Sequence, residues 1–163
     1  YGFCTLERVG GDPTVLIGLA AVKRTSRRES ALKAMITDQM RRAVLAFPDE
    51  DVLVATQMAD PAAFDAYKPL SHVVPRPGYE ANGEDRAWGR RLAKRFDVRG
   101  EYKAKEFRVY GEGRPSLVLN HNSSKPESIK PEVSALFDGY DVLKGDALVT
   151  FGWATREKLA KLL

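Results

Sequence analysis

A chain of 163 residues, 44% hydrophobic and 29% charged, is long enough for one packed core and too apolar to be disordered by composition. It has no run of about 18 apolar residues and no basic-then-apolar leader, so neither a membrane span nor a signal peptide is expected and the cytoplasm is the expected compartment. A formal net charge of +4 with a pI near 9.2 points to an anionic partner: nucleic acid, an acidic surface or a phosphorylated cofactor.

In chain order, Tyr1 to Val9 reads as a strand, and Gly10-Gly11-Asp12-Pro13 as a tight turn into a second strand, Thr14 to Val22. The second strand is apolar on both faces, as a central strand is when covered on each side. Lys23, Arg24, Arg27 and Arg28 make a cationic turn, and Ser26 with Glu29 has capping-box spacing. A helix is predicted from about Arg27 to Phe47, with Leu32, Met35, Ile36, Met40, Ala43, Val44 and Phe47 on one buried face. Asp51 to Met58 reads as a third strand, and a strand-helix-strand order predicts parallel pairing with the second. Asp60 as N-cap and Pro61 at the first helical position start a short helix that Pro69 ends, and Ser71 to Val74 reads as a strand.

The Pro- and Gly-rich stretch from Pro75 to Gly83 is the one plausible subdomain boundary. It divides a half at 1–80 from a C-terminal α/β extension at 81–163, packed into the same domain. An amphipathic helix is predicted from Asp85 to Phe96, with Trp88, Leu92 and Phe96 inward. A hairpin is then predicted, Glu106 to Tyr110 against Ser116 to Leu119 through Gly111-Glu112-Gly113. A short helix near Pro131 to Phe137, a strand at Ala147 to Phe151 and a helix from Thr155 to Leu163 follow. The start at Tyr1, strand-like and without Met, is compatible with a processed product or the later part of a longer protein.

A strand feeding a cationic helix N-terminus is a place to hold phosphate, because free amides and the helix dipole both attract an anion there. The order strand, basic turn, helix, strand, Asp-Pro helix, Tyr, strand resembles the cofactor-binding half of the GNAT superfamily of acyl-CoA-dependent N-acetyltransferases, over about residues 1–74. The family's pyrophosphate loop, Gln/Arg-x-x-Gly-x-Gly/Ala, has its best register on Arg27-Arg28-Glu29-Ser30-Ala31-Leu32. Ser30 and Leu32 stand at the two glycine positions, where larger side chains restrict the approach of phosphates to the amides. The four cations of the turn are the expected compensation.

The segment Asp60-Pro61-Ala62-Ala63 followed by Tyr67 and Leu70-Ser71-His72 resembles the family's Asn-x-x-Ala, Leu-Tyr and Leu-Gly-Phe pattern. Tyr67 falls on the tyrosine that often protonates the leaving thiolate of coenzyme A. The resemblance implies a mixed, mainly antiparallel central sheet flanked by helices, α/β in the α+β sense, with acetyl-CoA or another acyl-CoA as cofactor. It implies a cofactor site made of Leu19, Ala20, Ala21, Val22, Arg27, Arg28, Ser30 and Asp60, the strand backbone from Leu19 to Val22 pairing with the pantetheine arm. Direct transfer to a small-molecule or peptide amine is the implied reaction, with Tyr67 as acid and Glu7 or Glu29 as candidate bases.

No metal site is expected: Cys4 is a lone cysteine expected to be a buried thiol, and His72 and His121 are expected on the surface or hydrogen-bonded. Two other readings stay open. The run Arg86, Arg90, Arg91, Lys94, Arg95, Arg99, Lys103, Lys105 and Arg108, with Tyr102, Phe107 and Tyr110 interleaved, suits a nucleic-acid-binding module, although Asp97, Glu101 and Glu106 interrupt it. The missing glycines suit an acetyltransferase-like binding domain without catalysis.

Overall fold

The computed structural model describes residues 1–21, 28–120 and 128–162. Two glycines at positive φ, Gly10 at 58° and Gly11 at 89°, turn β1 (Gly2–Val9) back onto β2 (Asp12–Ala21) as an antiparallel hairpin. β2 feeds α1 (Arg28–Ala46), and the chain returns as β3 (Val52–Met58), parallel to β2 as the element order predicts. The inward face of α1 is deepest at Met40, Ala43 and Val44, while Met35, Ile36 and Phe47 are half-buried.

A helix does follow Asp60, but as a 3-10 helix (Pro61–Tyr67). Asp60 caps it, accepting the Ala62 amide at 2.7 Å. β4 (Ser71–Val74) leads to α2 (Gly83–Arg95), whose start is fixed by a capping box between Asn82 and Asp85. Trp88 and Leu92 are buried, and Trp88 meets Trp153 edge-on at 6.0 Å.

The predicted hairpin of Glu106–Tyr110 with Ser116–Leu119 does not form. β6 (Arg108–Tyr110) pairs instead with β5 (Glu101–Lys103), across a turn in which Phe107 takes φ 54° and is buried. After β6 the Gly111 amide donates to Asp146 at 2.9 Å and the Gly113 amide to the Lys144 carbonyl at 2.8 Å, which draws the chain away from a return along β6. Its next strand, β7 (Leu119–Asn120), pairs with β2 instead. α3 (Pro131–Ala135), β8 (Ala147–Ala154) and α4 (Arg156–Ala160) complete the described elements.

Among the described residues the sheet has 8 strands, with β1-β2-β3-β8-β6-β5 as its main path. Of their pairings, β2 with β3 and β2 with β7 are parallel and the others antiparallel, so the fold is α+β with a mixed, mostly antiparallel sheet. β8 lies along β3 from Leu148 to Ala154, and its other edge is shared by β6 at Ala147–Leu148 and β4 at Phe151–Trp153. The Arg108 guanidinium sits between the Tyr110 and Tyr140 rings, 4.1 and 4.3 Å from their centroids, and donates to buried Asp146 at 3.1 Å. Burial alone would raise the Asp146 carboxyl, but the Asp141 and Gly111 amides and Arg108 together hold it below the usual range.

Candidate functional site

The main irregularity of the sheet lies between β2 and β3. The two strands pair from Thr14↔Leu53 to Ile17↔Thr56, and the ladder then stops although both strands continue. A bulge sits at the same level: β1 pairs Cys4 with Ile17 and Phe3 with Leu19, leaving Gly18 without an opposite residue. A bulge sharpens the local twist, so it turns β2 away from β3 where the pairing ends. The Thr56 hydroxyl donates to the Ile17 carbonyl at 2.8 Å, giving that group a partner where the strands part. The two strands therefore form a fork, open toward their C-terminal ends.

The fork is filled by the chain itself. β7 runs parallel to β2 with Ala20 opposite Leu119 and Ala21 opposite Asn120, and the Ala20 amide reaches the Val118 carbonyl at 3.5 Å. Leu119 is fully buried, Val118 is half-buried and Leu117 is exposed. β7 also touches β3 and the 3-10 helix that ends in Tyr67. Tyr67 is fully buried and its hydroxyl has no hydrogen-bond partner among the described residues. Burial, and secondarily the nearby Cys4 thiol, push its pKa well above 10, so the phenol keeps its proton. Gln57, the residue of β3 just past the last pair with β2, also buries a side-chain oxygen without a partner among the described residues.

Beside the fork, between the β1–β2 hairpin and α1, is a pocket of about 330 Å³. Gly2, Cys4, Ala20 and Ala34 leave the space, and Ile17 and Met35 give it apolar walls. The half-buried Cys4 thiol on this wall is pushed up in pKa by burial, which makes it a poor nucleophile.

The residues that the sequence singles out fall into separate places. Leu19, Ala20 and Ala21 lie on the outer arm of the fork; the Ala20 amide faces β7, reaching the Val118 carbonyl, while the Ala21 amide and carbonyl face the other way and bond the Tyr1 carbonyl and the N-terminal amine, each at 2.9 Å. Tyr67 ends the 3-10 helix, which touches β7. Ser30 is exposed in the first turn of α1, and Asp60 is the exposed cap of the 3-10 helix. Val22, Lys23, Arg24, Arg27 and His121 lie outside the described residues, as do the side chains of Arg28, Glu29 and Leu32. Glu7 points to the opposite face of the hairpin from Cys4, where Arg95 of α2 donates to it at 2.5 and 2.8 Å. The Arg95 hydrogen bonds hold its carboxyl below the usual range, which leaves Glu7 a weak base.

The basic run from Arg86 to Arg108 is partly engaged inside the protein. Arg95 is tied to Glu7, Arg91 lies over the Trp88 ring at 5.0 Å, and Arg108 is in the tyrosine sandwich. Of the interleaved aromatic residues Phe107 is buried, and the hydroxyl of Tyr102 is buried beside Gly89. Among the described residues no cluster of His, Cys, Asp and Glu has the makings of a metal site, and no helix is long and apolar enough to cross a membrane. Sequence reasoning missed the role of Leu119, although the apolar run Leu117-Val118-Leu119 announced a strand. Gly18 inside an apolar strand was an available signal for the bulge. No family model, curated protein or solved structure matches the chain.

Proposed function

We propose that this protein is an acyltransferase that moves an acetyl or longer acyl group from coenzyme A to the amine of a small molecule or peptide. The observation that carries the reading is the fork, where β2 and β3 begin as a parallel pair and part after Ile17 and Thr56. A cleft of that kind offers main-chain partners to an extended amide-bearing chain, and the pantetheine arm of coenzyme A is such a chain. The amine nitrogen attacks the thioester carbonyl carbon, forming the C–N bond, and the C–S bond breaks as the carbonyl reforms. The departing sulfur takes the phenolic proton of Tyr67, and the proton lost by the new amide nitrogen returns to the phenolate through solvent. Amide and free thiol are the products, with no net change in protons or electrons.

Tyr67 is the residue that the resemblance assigns to the acid role, and its hydroxyl, protonated at neutral pH, has no other partner among the described residues, although the same burial makes it a weaker acid than a free phenol. A second reading, an acetyltransferase-like binding domain without catalysis, is favoured by the occupation of the fork by Leu119 and Asn120. Two measurements separate them: the melting temperature with millimolar coenzyme A, and thiol release from acetyl-CoA across a panel of amines. A shift with thiol release is expected, because a ligand that binds only the folded state raises its stability by mass action. A shift without release establishes the binding domain. Neither shift nor release, in the wild type and in the Leu119→Ala variant described below, overturns both.

A further inference from the structure

We infer that residues 118–120 are an internal stand-in for the coenzyme: β7 occupies the slot of the pantetheine arm, so the closed form described above and the loaded form exclude each other. This rests on the proposed function and adds a means of control to the same cleft.

The first argument is geometric. The edge of β2 that β3 relinquishes after Ile17 is taken up again by Leu119 and Asn120 opposite Ala20 and Ala21, and the Ala20 amide, which faces the cleft, is engaged by the Val118 carbonyl, while the main chain of Ala21 is bonded to Tyr1 on the other edge. The Leu119 side chain is fully buried, and β7 touches β3 and the 3-10 helix as well as β2. The occupant therefore reports what the slot accepts: an extended chain carrying amides and an apolar part that can be buried. Pantetheine meets both conditions, its two amides being separated by short aliphatic links.

The second argument is that the occupant is lightly held. β7 is a strand of 2 residues, and the Ala20 amide meets Val118 at 3.5 Å, beyond the usual range for an N–H···O bond. Leu117, just before it, is exposed. The third argument is that closure leaves polar groups unserved. The hydroxyl of Tyr67, whose helix touches β7, and the side-chain oxygen of Gln57, on β3 where the fork begins, are both buried without partners among the described residues. Buried polar groups in folded proteins are nearly always paired, so both groups are available to a ligand or water that enters when β7 leaves. A protein that must open before it binds shows an affinity reduced by the fraction open, and shortening Leu119 removes that handicap.

The test is isothermal titration of the full chain with coenzyme A. Leu119→Ala is expected to bind at least about tenfold more tightly than wild type, since the loss of a buried leucine falls on the closed form. The converse variant, Ala21→Cys with Asn120→Cys in a Cys4→Ala background, joins two positions that are opposite in register. Oxidised it is expected to lose binding, and reduced to regain it. In hydrogen exchange, saturating coenzyme A is expected to deprotect the Leu119 and Asn120 amides of the wild type. Equal affinity of wild type and Leu119→Ala, or undiminished binding by the oxidised pair, overturns the gate while leaving the acyltransferase reading intact. If no form binds, the acyltransferase reading and the gate fall together. Should Leu119→Ala not fold, the cysteine pair and the exchange measurement decide alone.

Discussion

Replacing Tyr67 with phenylalanine separates a functional hydroxyl from a structural one, because the two roles predict opposite signs for stability. In the free protein the hydroxyl is fully buried and, among the described residues, neither accepts nor donates a hydrogen bond. In the unfolded chain water satisfies it, so folding loses that hydration without compensation, at a cost of about 1–3 kcal/mol. The Tyr67→Phe substitution would remove the cost and keep the ring, leaving at most a gap the size of one oxygen. A net gain of about 1 kcal/mol is expected, which for a protein of this size raises the melting temperature by about 2–4 °C. The gain should widen in alkali. The folded pKa of Tyr67 is raised above its unfolded value, so the stability associated with it is fully present below about pH 10 and is lost as pH rises beyond that. Burial also raises Tyr102 and Tyr140, but these remain in both proteins and cancel in the difference. Turnover with acetyl-CoA is expected to fall by about a hundredfold or more, the usual contribution of a positioned acid. Thermal melts at pH 7 and pH 10.5, and thiol release at pH 7, make the comparison. A lower melting temperature would show that the hydroxyl has a partner, and unchanged turnover would remove Tyr67 from the chemistry.

Three further outcomes follow from contacts around the site. Asp146→Asn leaves Arg108, only 14% exposed, without its charge partner, and urea denaturation is expected to show a loss of about 3 kcal/mol or more. Gly89→Ala would set a methyl carbon 2.4 Å from the Tyr102 hydroxyl and 2.9 Å from the Phe107 ring. The overpacking cost, about 1–3 kcal/mol, outweighs the gain of about 1 kcal/mol from helix propensity, and adding Tyr102→Phe should recover part of the loss in thermal melts. Glu7→Gln removes an ion pair whose side chains are 31% and 49% exposed, so about 0.2–1 kcal/mol is expected to disappear at pH 7. The Glu7 pKa is lowered on folding, so this contribution exists above about pH 4.5 and fades as pH falls further; wild type and variant should converge once acid has protonated Glu7 in the folded state. A fall in turnover beyond about tenfold in this variant would return Glu7 to the role of general base.

Local signals in the chain were sufficient for most of its elements. Gly10-Gly11, the apolar alternation around them, Asp60-Pro61 and the Trp88-Leu92 spacing each act over a few residues, and each produces the turn, strand or cap it suggests. What sequence alone concealed is pairing at a distance. The run Leu117-Val118-Leu119 has strand character, but its partner was assigned to the nearest strand in the chain, whereas the backbone bonds of Gly111 and Gly113 to 144–146 carry it to Ala20 about a hundred residues earlier. Glu7 was legible as an acidic residue on a strand, yet its bidentate tie to Arg95 depends on how α2 lies across the hairpin. Tyr67 was picked out by its neighbours in sequence, and its isolation from any partner emerges only when the 3-10 helix is set against β7.

The position of β8 governs how the molecule can be made. It lies between β3 on one side and both β4 and β6 on the other, with Val52 opposite Ala154. Three earlier strands therefore have no permanent neighbour along those edges until a stretch late in the chain has been synthesised. Loops of this length must close before their contacts contribute, which makes assembly slow relative to a helical protein of equal size and leaves open strand edges exposed to other chains meanwhile. Fragments cut in the Pro75–Gly83 loop would inherit those edges, so production of the protein depends on keeping both sides of that loop in one polypeptide.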